Sequence, residues 1–225
     1  LQGAMNYAIL PLKYIQANPC VAVKIGKMPM DMTAKAHTEY ICSAEEFNQI
    51  LKRFPADNCF HLSLVVPYNT GTRIGETFAI DLSQDVDFEK HELRIHGQMQ
   101  KVEKTWYIKP PKYDSYRTIK MGETLEKELK FAIQQRRINK LKYGGAYSKT
   151  YLLPDRSIAQ IRADIDVPYK EILPLCVKEN GALLTPDSFK YCARIIHYEL
   201  NNPLFHAHCL RHTHGTILAE NGVNP

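Results

Sequence analysis

The six cysteines, at 20, 42, 59, 176, 192 and 209, include no Cys-x-x-Cys pair. With no signal-peptide pattern in view, that scatter fits reduced thiols in a cytoplasmic protein better than a disulfide framework. No apolar run approaches the roughly 20 residues needed to span a bilayer, so no membrane association is expected. Internal repeats and low-complexity tracts are missing too, which excludes a repeat architecture. Acidic residues are absent from 129 to 154, where Lys130, Arg136, Arg137, Lys140, Lys142 and Lys149 fall. A second stretch sets Lys101, Lys104, Lys109, Lys112, Arg117 and Lys120 against only Glu103 and Asp114. Such runs suit a solvated helix face and an exposed hairpin, or a polyanionic partner.

What is present is ordinary in bulk. The 225 residues suffice for one domain with a sizeable core and part of a second. Hydrophobic residues at 44% and charged residues at 24% are usual for a soluble globular chain, and the net charge of +5 permits nucleic acid without demanding it. Leu1, Met5, Ala8, Ile9 and Leu12 recur at helical spacing until Asn18-Pro19, so residues 1–20 read as the last helix of a preceding domain. Lys24 to Thr38 is rich in Lys, Met, Pro and Gly, which makes 21–40 an interdomain linker and 41–225 the main domain.

The main domain opens on the capping box Ser43-x-x-Glu46, with Phe47, Ile50, Leu51 and Phe54 on one helix face. A more apolar helix through Phe60 to Val66 leads to Thr70-Gly71, and residues 72–79 form a short helix with Arg73 and Glu76 on one side. Short strands are expected at Val86-Asp-Phe, Leu93-Arg-Ile-His, Thr105-Trp-Tyr-Ile and Tyr116-Arg-Thr-Ile, interrupted at Gly97 and Pro110-Pro111. They predict a small three-stranded antiparallel sheet in a mixed α+β, mainly helical domain. Leu125, Leu129, Ala132 and Ile133 mark a long helix ending near Tyr143-Gly144-Gly145. Another starts at Thr185 as N-cap with Pro186 in the first turn, and buries Phe189, Cys192, Ala193, Ile196 and Leu200.

The densest polar cluster is His208-Cys-Leu-Arg211-His212-Thr-His214-Gly215. On a helix over 206–221 that ends at Gly222, Leu210, Ile217 and Leu218 share one side with His214 beside them. His208, Arg211, His212 and Gly215 take the other. Two cations and a residue without a side chain suit an anionic backbone, while the plain alternative is an exposed polar face. A metal is the sharper rival, since His208 and His212 stand at i, i+4. Arg211 between them opposes it, and no Glu follows His208 as a metalloprotease pattern requires. Cys209 beside these cations could be a low-pKa thiolate, although a buried structural cysteine fits better.

Thr70-Gly-x-Arg73-x-x-Glu76, followed downstream by His208-x-Leu-Arg211-His212, resembles the tyrosine recombinases, also called phage integrases. Asp85-Val-Asp-Phe, Ile108-Lys-Pro-Pro-Lys112 and Ser115-Tyr-Arg-Thr-Ile resemble integrases of Gram-positive conjugative transposons. The resemblance covers 43–225, and residues 1–20 resemble the last helix of the family's core-binding domain. It implies the recombinase catalytic fold and site-specific cleavage and rejoining of double-stranded DNA through a 3′-phosphotyrosine, without metal or cofactor. Arg73 and Arg211 would clamp the non-bridging oxygens of the scissile phosphate, and Lys112 would protonate the departing 5′ oxygen, with Lys109 the fallback. His208 would hydrogen-bond the phosphate and assist proton transfer. Glu76 would orient Arg73 or His208, and His212 would be a structural support. Lys109, Arg117, Arg136 and Arg137 are further DNA-contact candidates. The implied setting is a homo-oligomer on transposon ends and a crossover site in the bacterial cytoplasm, with an accessory excision factor as a further partner.

The family's nucleophilic tyrosine should follow the His-x-Leu-Arg box by a few tens of residues, and none of the 13 tyrosines here occupies that place. The expectation is therefore a chain truncated before the nucleophile, which alone does not cleave DNA. A non-catalytic DNA-binding regulator of the same fold and a metal-dependent nuclease are the alternatives.

Overall fold

The computed structural model describes residues 2–21, 23 and 39–223, and divides into two compact units, Leu1–Thr38 and Glu39–Pro225. Most of the expected linker over 21–40 lies outside the described residues. In the first unit α1 spans Gln2–Ile9. Pro11 has no N–H to continue the helical ladder and disfavours helical backbone at Leu10, so Leu12 falls beyond the helix, where it is exposed.

In the second unit α2 (Ala44–Arg53) begins at the anticipated capping box. Glu46 N donates to Ser43 Oγ at 3.2 Å, and Ser43 N donates to Glu46 Oε2 at 2.8 Å. Phe47, Ile50 and Phe54 are buried on its inner face. Helix α3 (His61–Thr70) is the most apolar, and α4 (Ile74–Ala79) follows after a short break. The long α5 (Glu123–Tyr143), then α6 (Phe189–Glu199) and α7 (Ala207–Glu220), complete the helical part. Leu64, Phe78, Leu93, Leu125, Ile196 and Leu210 meet in one core, each worth roughly 1.5–3 kcal/mol of burial.

The strands depart from expectation. β1 (Val86–Asp87), β2 (Glu92–Ile95) and β5 (Arg117–Lys120) form an antiparallel sheet in the order β1-β2-β5. β3 (Gln98–Val102) and β4 (Thr105–Lys109) make a separate hairpin inserted between β2 and β5, so Thr105-Trp-Tyr-Ile belongs to a different sheet. A further three-stranded sheet, ordered β7-β6-β8, is built from β6 (Ser148–Leu152), β7 (Ile158–Arg162) and β8 (Lys170–Ile172). It was not anticipated from the sequence.

A carboxylate knot ties these layers. Asp81 accepts from Ser83 Oγ at 2.6 Å, Ser83 N at 3.0 Å and Leu173 N at 3.0 Å. Burial pushes its pKa up, but these donors outweigh that and hold it below the usual carboxylate value. Asp85 accepts from Asp81 N at 2.8 Å and pairs with His96 Nδ1 at 2.8 Å, next to the end of β2.

Two helical expectations need correction. Helix α6 starts at Phe189 rather than Pro186, because residues 185–188 close a turn in which Ser188 N donates to Thr185 O. The buried stripe of α7 is Cys209, Leu210 and Thr213, whereas Ile217 is exposed. Thr213 is drawn inward because its Oγ1 accepts from the buried N–H of Cys42 at 2.9 Å, a donor that would otherwise be left unpaired.

Candidate active site

The site is assembled where α3 ends, α4 begins and α7 crosses them. Gly71 closes α3 in the left-handed conformation, φ 62°, and a Cβ there would stand 2.8 Å from Cδ2 of His214. Only glycine both makes this turn and lets α7 come so close. His214 in turn bonds through Nδ1 to the carbonyl of Tyr68 at 3.0 Å, and burial lowers its pKa. The Thr70-Gly71 pair is thus the seat on which the second motif rests.

Arg73 occupies the N-cap of α4 in extended backbone, one residue outside the helix proper. Glu76, three residues on, reaches back twice. Its Oε2 accepts from Arg73 N at 2.9 Å and its Oε1 accepts from Arg73 Nη1 at 2.8 Å. The same Oε2 accepts from Nη2 of Arg117 on β5 at 2.7 Å. The Glu76 side chain is only 1% exposed, while those of Arg73 and Arg117 are each 29% exposed. Burial pushes the Glu76 carboxyl up, but hydrogen bonds from Arg117 and Arg73 prevail and keep it below its ordinary value. It therefore stays ionised and holds two guanidiniums in place. Of the two anticipated partners Glu76 holds Arg73; among the described residues it makes no bond to His208, and Arg117 takes its remaining capacity.

Arg211 enters from α7 and donates through Nη1 to the carbonyl of Gly71, which joins the two sequence motifs directly. Burial lowers its pKa, the charges of Arg73 and Arg117 lower it further, and Glu76 acts against them. Three guanidiniums against one carboxylate leave two positive charges uncompensated at this cluster. Beside it an open cavity of about 610 Å³ is lined by Arg117, Ile119, Arg211, His212, Gly215 and Leu218. A Cβ on Gly215 would meet nothing within 4 Å, so the α7 backbone faces free space there.

His208 keeps an exposed edge, with its ring 4.7 Å from that of His212 and nearly perpendicular to it. Shelter of the inner part of the ring, then the positive neighbours His212, Arg211, His206 and Arg73, lower its pKa. It is accordingly neutral near pH 7, able to accept one proton and donate another. His212 pairs through Nδ1 with Glu39 at 2.5 Å. Cys209 is fully buried and its thiol is pushed up to about 12 by burial, which removes the thiolate reading.

The lysines stand apart from the arginines. Lys112 lies in the turn Lys112–Asp114, exposed, with Nζ 5.0 Å from the Tyr113 ring centroid. Tyr113 and Asp114 have φ of 61° and 50°, so this loop is held in backbone that costs roughly 1–3 kcal/mol per residue. Lys109 lies over Tyr107 at 5.9 Å, and Arg137 is exposed on α5. Arg136 is misplaced by the sequence reading. Its guanidinium donates to the carbonyls of Pro174 and Leu175, binding α5 to the segment after β8, and burial lowers its pKa. Those donors are spent on the protein and do not face a polyanion.

The sequence sets Arg117 only among the further DNA-contact candidates, yet it shares the Glu76 carboxylate. The signal is the alternation Arg117-Thr-Ile119-Lys: in β5 the first and third residues are half-buried on one face while the others are exposed.

Among the described residues no helix is long and apolar enough to cross a membrane. Comparison with known proteins agrees with this architecture. The chain is 26% identical over 233 residues to the "Tyrosine recombinase XerC-like" protein of Caldanaerobacter subterraneus subsp. tengcongensis, covering 99% of this chain and 54% of that protein. The chain thus spans about half the length of this curated relative. The fold matches the Tn1549 transposon integrase, solved in complex with a circular intermediate DNA, with a TM-score of 0.62 and 21% identity over 100% of this chain and 65% of that one. XerA recombinase matches with a TM-score of 0.52 and 17% identity over 88% of this chain and 56% of the other. The model of the phage integrase family matches residues 42–225, nearly the whole of the second unit, and the chain belongs to that family.

Proposed function

We propose that the chain carries the phosphate-activating site of a site-specific DNA recombinase of a mobile element, which cleaves and rejoins double-stranded DNA through a 3′-phosphotyrosine. The observation that carries this reading is the arginine cluster: Arg73 and Arg211, on different helices, converge beside one buried carboxylate with positive charge to spare. A folded protein gains nothing from that excess by itself; an incoming phosphodiester would neutralise it.

Arg73 and Arg211 hold the non-bridging oxygens and stabilise the charge that grows as phosphorus becomes five-coordinate. A tyrosine oxygen forms the new bond to phosphorus, His208 takes its proton, and the bond to the 5′ oxygen breaks. Lys112 gives the leaving oxygen a proton, with Lys109 as the substitute, after its loop brings it to the DNA. Rejoining runs the same steps in reverse with another 5′ hydroxyl. Arg137 and the hairpin lysines contact flanking phosphates. Residues 1–20 form part of a second DNA-clamping unit. The working assembly is a homo-oligomer on transposon ends, with an accessory factor for excision, in the bacterial cytoplasm.

None of the chain's own tyrosines is assigned as the nucleophile. Among the described residues no tyrosine hydroxyl is hydrogen-bonded to Arg73, Arg211 or His208. Residues 1–225 incubated with crossover-site DNA should therefore give no SDS-resistant protein–DNA adduct. A covalent adduct mapped to any of these tyrosines would overturn that assignment.

A further inference from the structure

We infer that Arg117 is a third guanidinium of the phosphate site, contacting the same phosphodiester as Arg73 and Arg211 rather than the flanking DNA backbone. The inference deepens the function proposed above and rests on it.

Three observations support it. First, strand periodicity places Arg117 on the inner face of β5 together with Ile119, and both line the cavity that Arg211 and Gly215 line from α7. Arg117 and Arg211 therefore border the same open space. Second, Arg117 and Arg73 are held by one carboxylate and are equally exposed, at 29% each. A mere counter-ion for Glu76 is not needed, because Arg73 already gives that carboxylate a side-chain and a backbone donor. Adding Arg117 raises the excess positive charge of the cluster from one to two, an arrangement that costs repulsion unless an anion arrives. Third, the donors are not exhausted. A guanidinium has five N–H groups. Among the described residues Arg117 spends Nη2 on Glu76 and Nη1 on the carbonyl of Ser115, while Arg211 spends only Nη1, on Gly71.

The Ser115 carbonyl sets the aim. Ser115 lies in the loop that also carries Lys112, and its own Oγ is the one buried side-chain oxygen or nitrogen among the described residues without a partner. Arg117 thus links the loop of the proposed acid to the carboxylate that fixes Arg73. In this arrangement Glu76 is a positioning residue for two phosphate-binding arginines at once.

The test uses the 225-residue chain with inorganic phosphate as the probe, following the arginine Nε–Hε resonances by NMR. The resonances of Arg73, Arg117 and Arg211 should move along one common isotherm. Arg117→Lys, which keeps a cation beside Glu76 but loses the fork, should weaken phosphate binding by about three- to tenfold and leave the unfolding temperature nearly unchanged. If Arg73 and Arg211 move while Arg117 does not, Arg117 is only a strut and the inference fails while the proposed function stands. If none of the three moves, the proposed function fails with it.

Discussion

Glu76 is the side chain on which the cationic site turns. It is nearly inaccessible yet ionised, and it fixes Arg73 through both its side chain and its backbone while also receiving Arg117. Its pKa is depressed in the folded state, so its stabilising effect is full above the unfolded-state value near 4.5 and is lost as pH falls through the lower folded value. Glu76→Gln should therefore be less stable than the unsubstituted chain at pH 7 and approach it below about pH 4. Urea denaturation at the two pH values measures this, and an equal gap at both would exclude an ionised Glu76. His208 reports the same field from the other side. Its ring should titrate below the ordinary histidine value of 6.5, and Arg211→Ala, by removing a cation, should move it upward. Ring NMR shifts against pH decide the point; an unchanged titration would mean that Arg211 and His208 do not share a site.

At the scale of elements, the junction of α3, α4 and α7 does the positioning. Gly71 turns the chain, receives Arg211 on its carbonyl and meets the His214 ring where a side chain would stand. Gly71→Ala should destabilise the fold by about 2–4 kcal/mol, from left-handed strain and overpacking together. A loss below about 1 kcal/mol in urea denaturation would show that α7 gives way easily. These local relations differ in how far they could be read in advance. Arg73 and Glu76 were legible because residues three apart at a helix start are neighbours, although Arg73 proves to be the N-cap rather than a helical residue, and the α2 capping box was legible for the same local reason. Arg117 and Glu76 lie 41 residues apart, and only the pairing of β5 with β2 brings them together. The inward turn of Thr213 has no local signal, because its partner, the Cys42 amide, is 171 residues away. The sheet β7-β6-β8 has no such local signal, and its tie to Asp81 depends on Leu173, 92 residues distant.

At the scale of the whole molecule, runs of sequence charge are poor guides to the field. The acid-free stretch from 129 to 154 is largely neutralised by carboxylates from elsewhere. Lys142 pairs with Glu179 at 2.5 Å, Lys149 and Lys140 approach Glu171 at 3.5 and 3.9 Å, and Lys130 reaches Glu126 at 3.3 Å. Arg136 is spent on carbonyls, which leaves Arg137 as the one cation of that run without an ion pair or hydrogen bond among the described residues. In the other run Lys101 and Lys120 pair with Asp187 and Glu92. Lys104, Lys109 and Lys112 have no such partner among the described residues, and they lie on the hairpin and loop leading into the strand of Arg117. Unpaired positive charge is therefore left on the arginine cluster and, apart from it, on the hairpin and loop that lead into the strand of Arg117. Strand cleavage of crossover-site DNA by the natural full-length protein carrying Arg211→Ala, beside its DNA affinity, puts this to the test. Cleavage should fall by about 10²–10³-fold with only a modest loss of affinity. Cleavage within a few-fold of the unsubstituted protein would mean that the arginine cluster is not where the phosphate is activated.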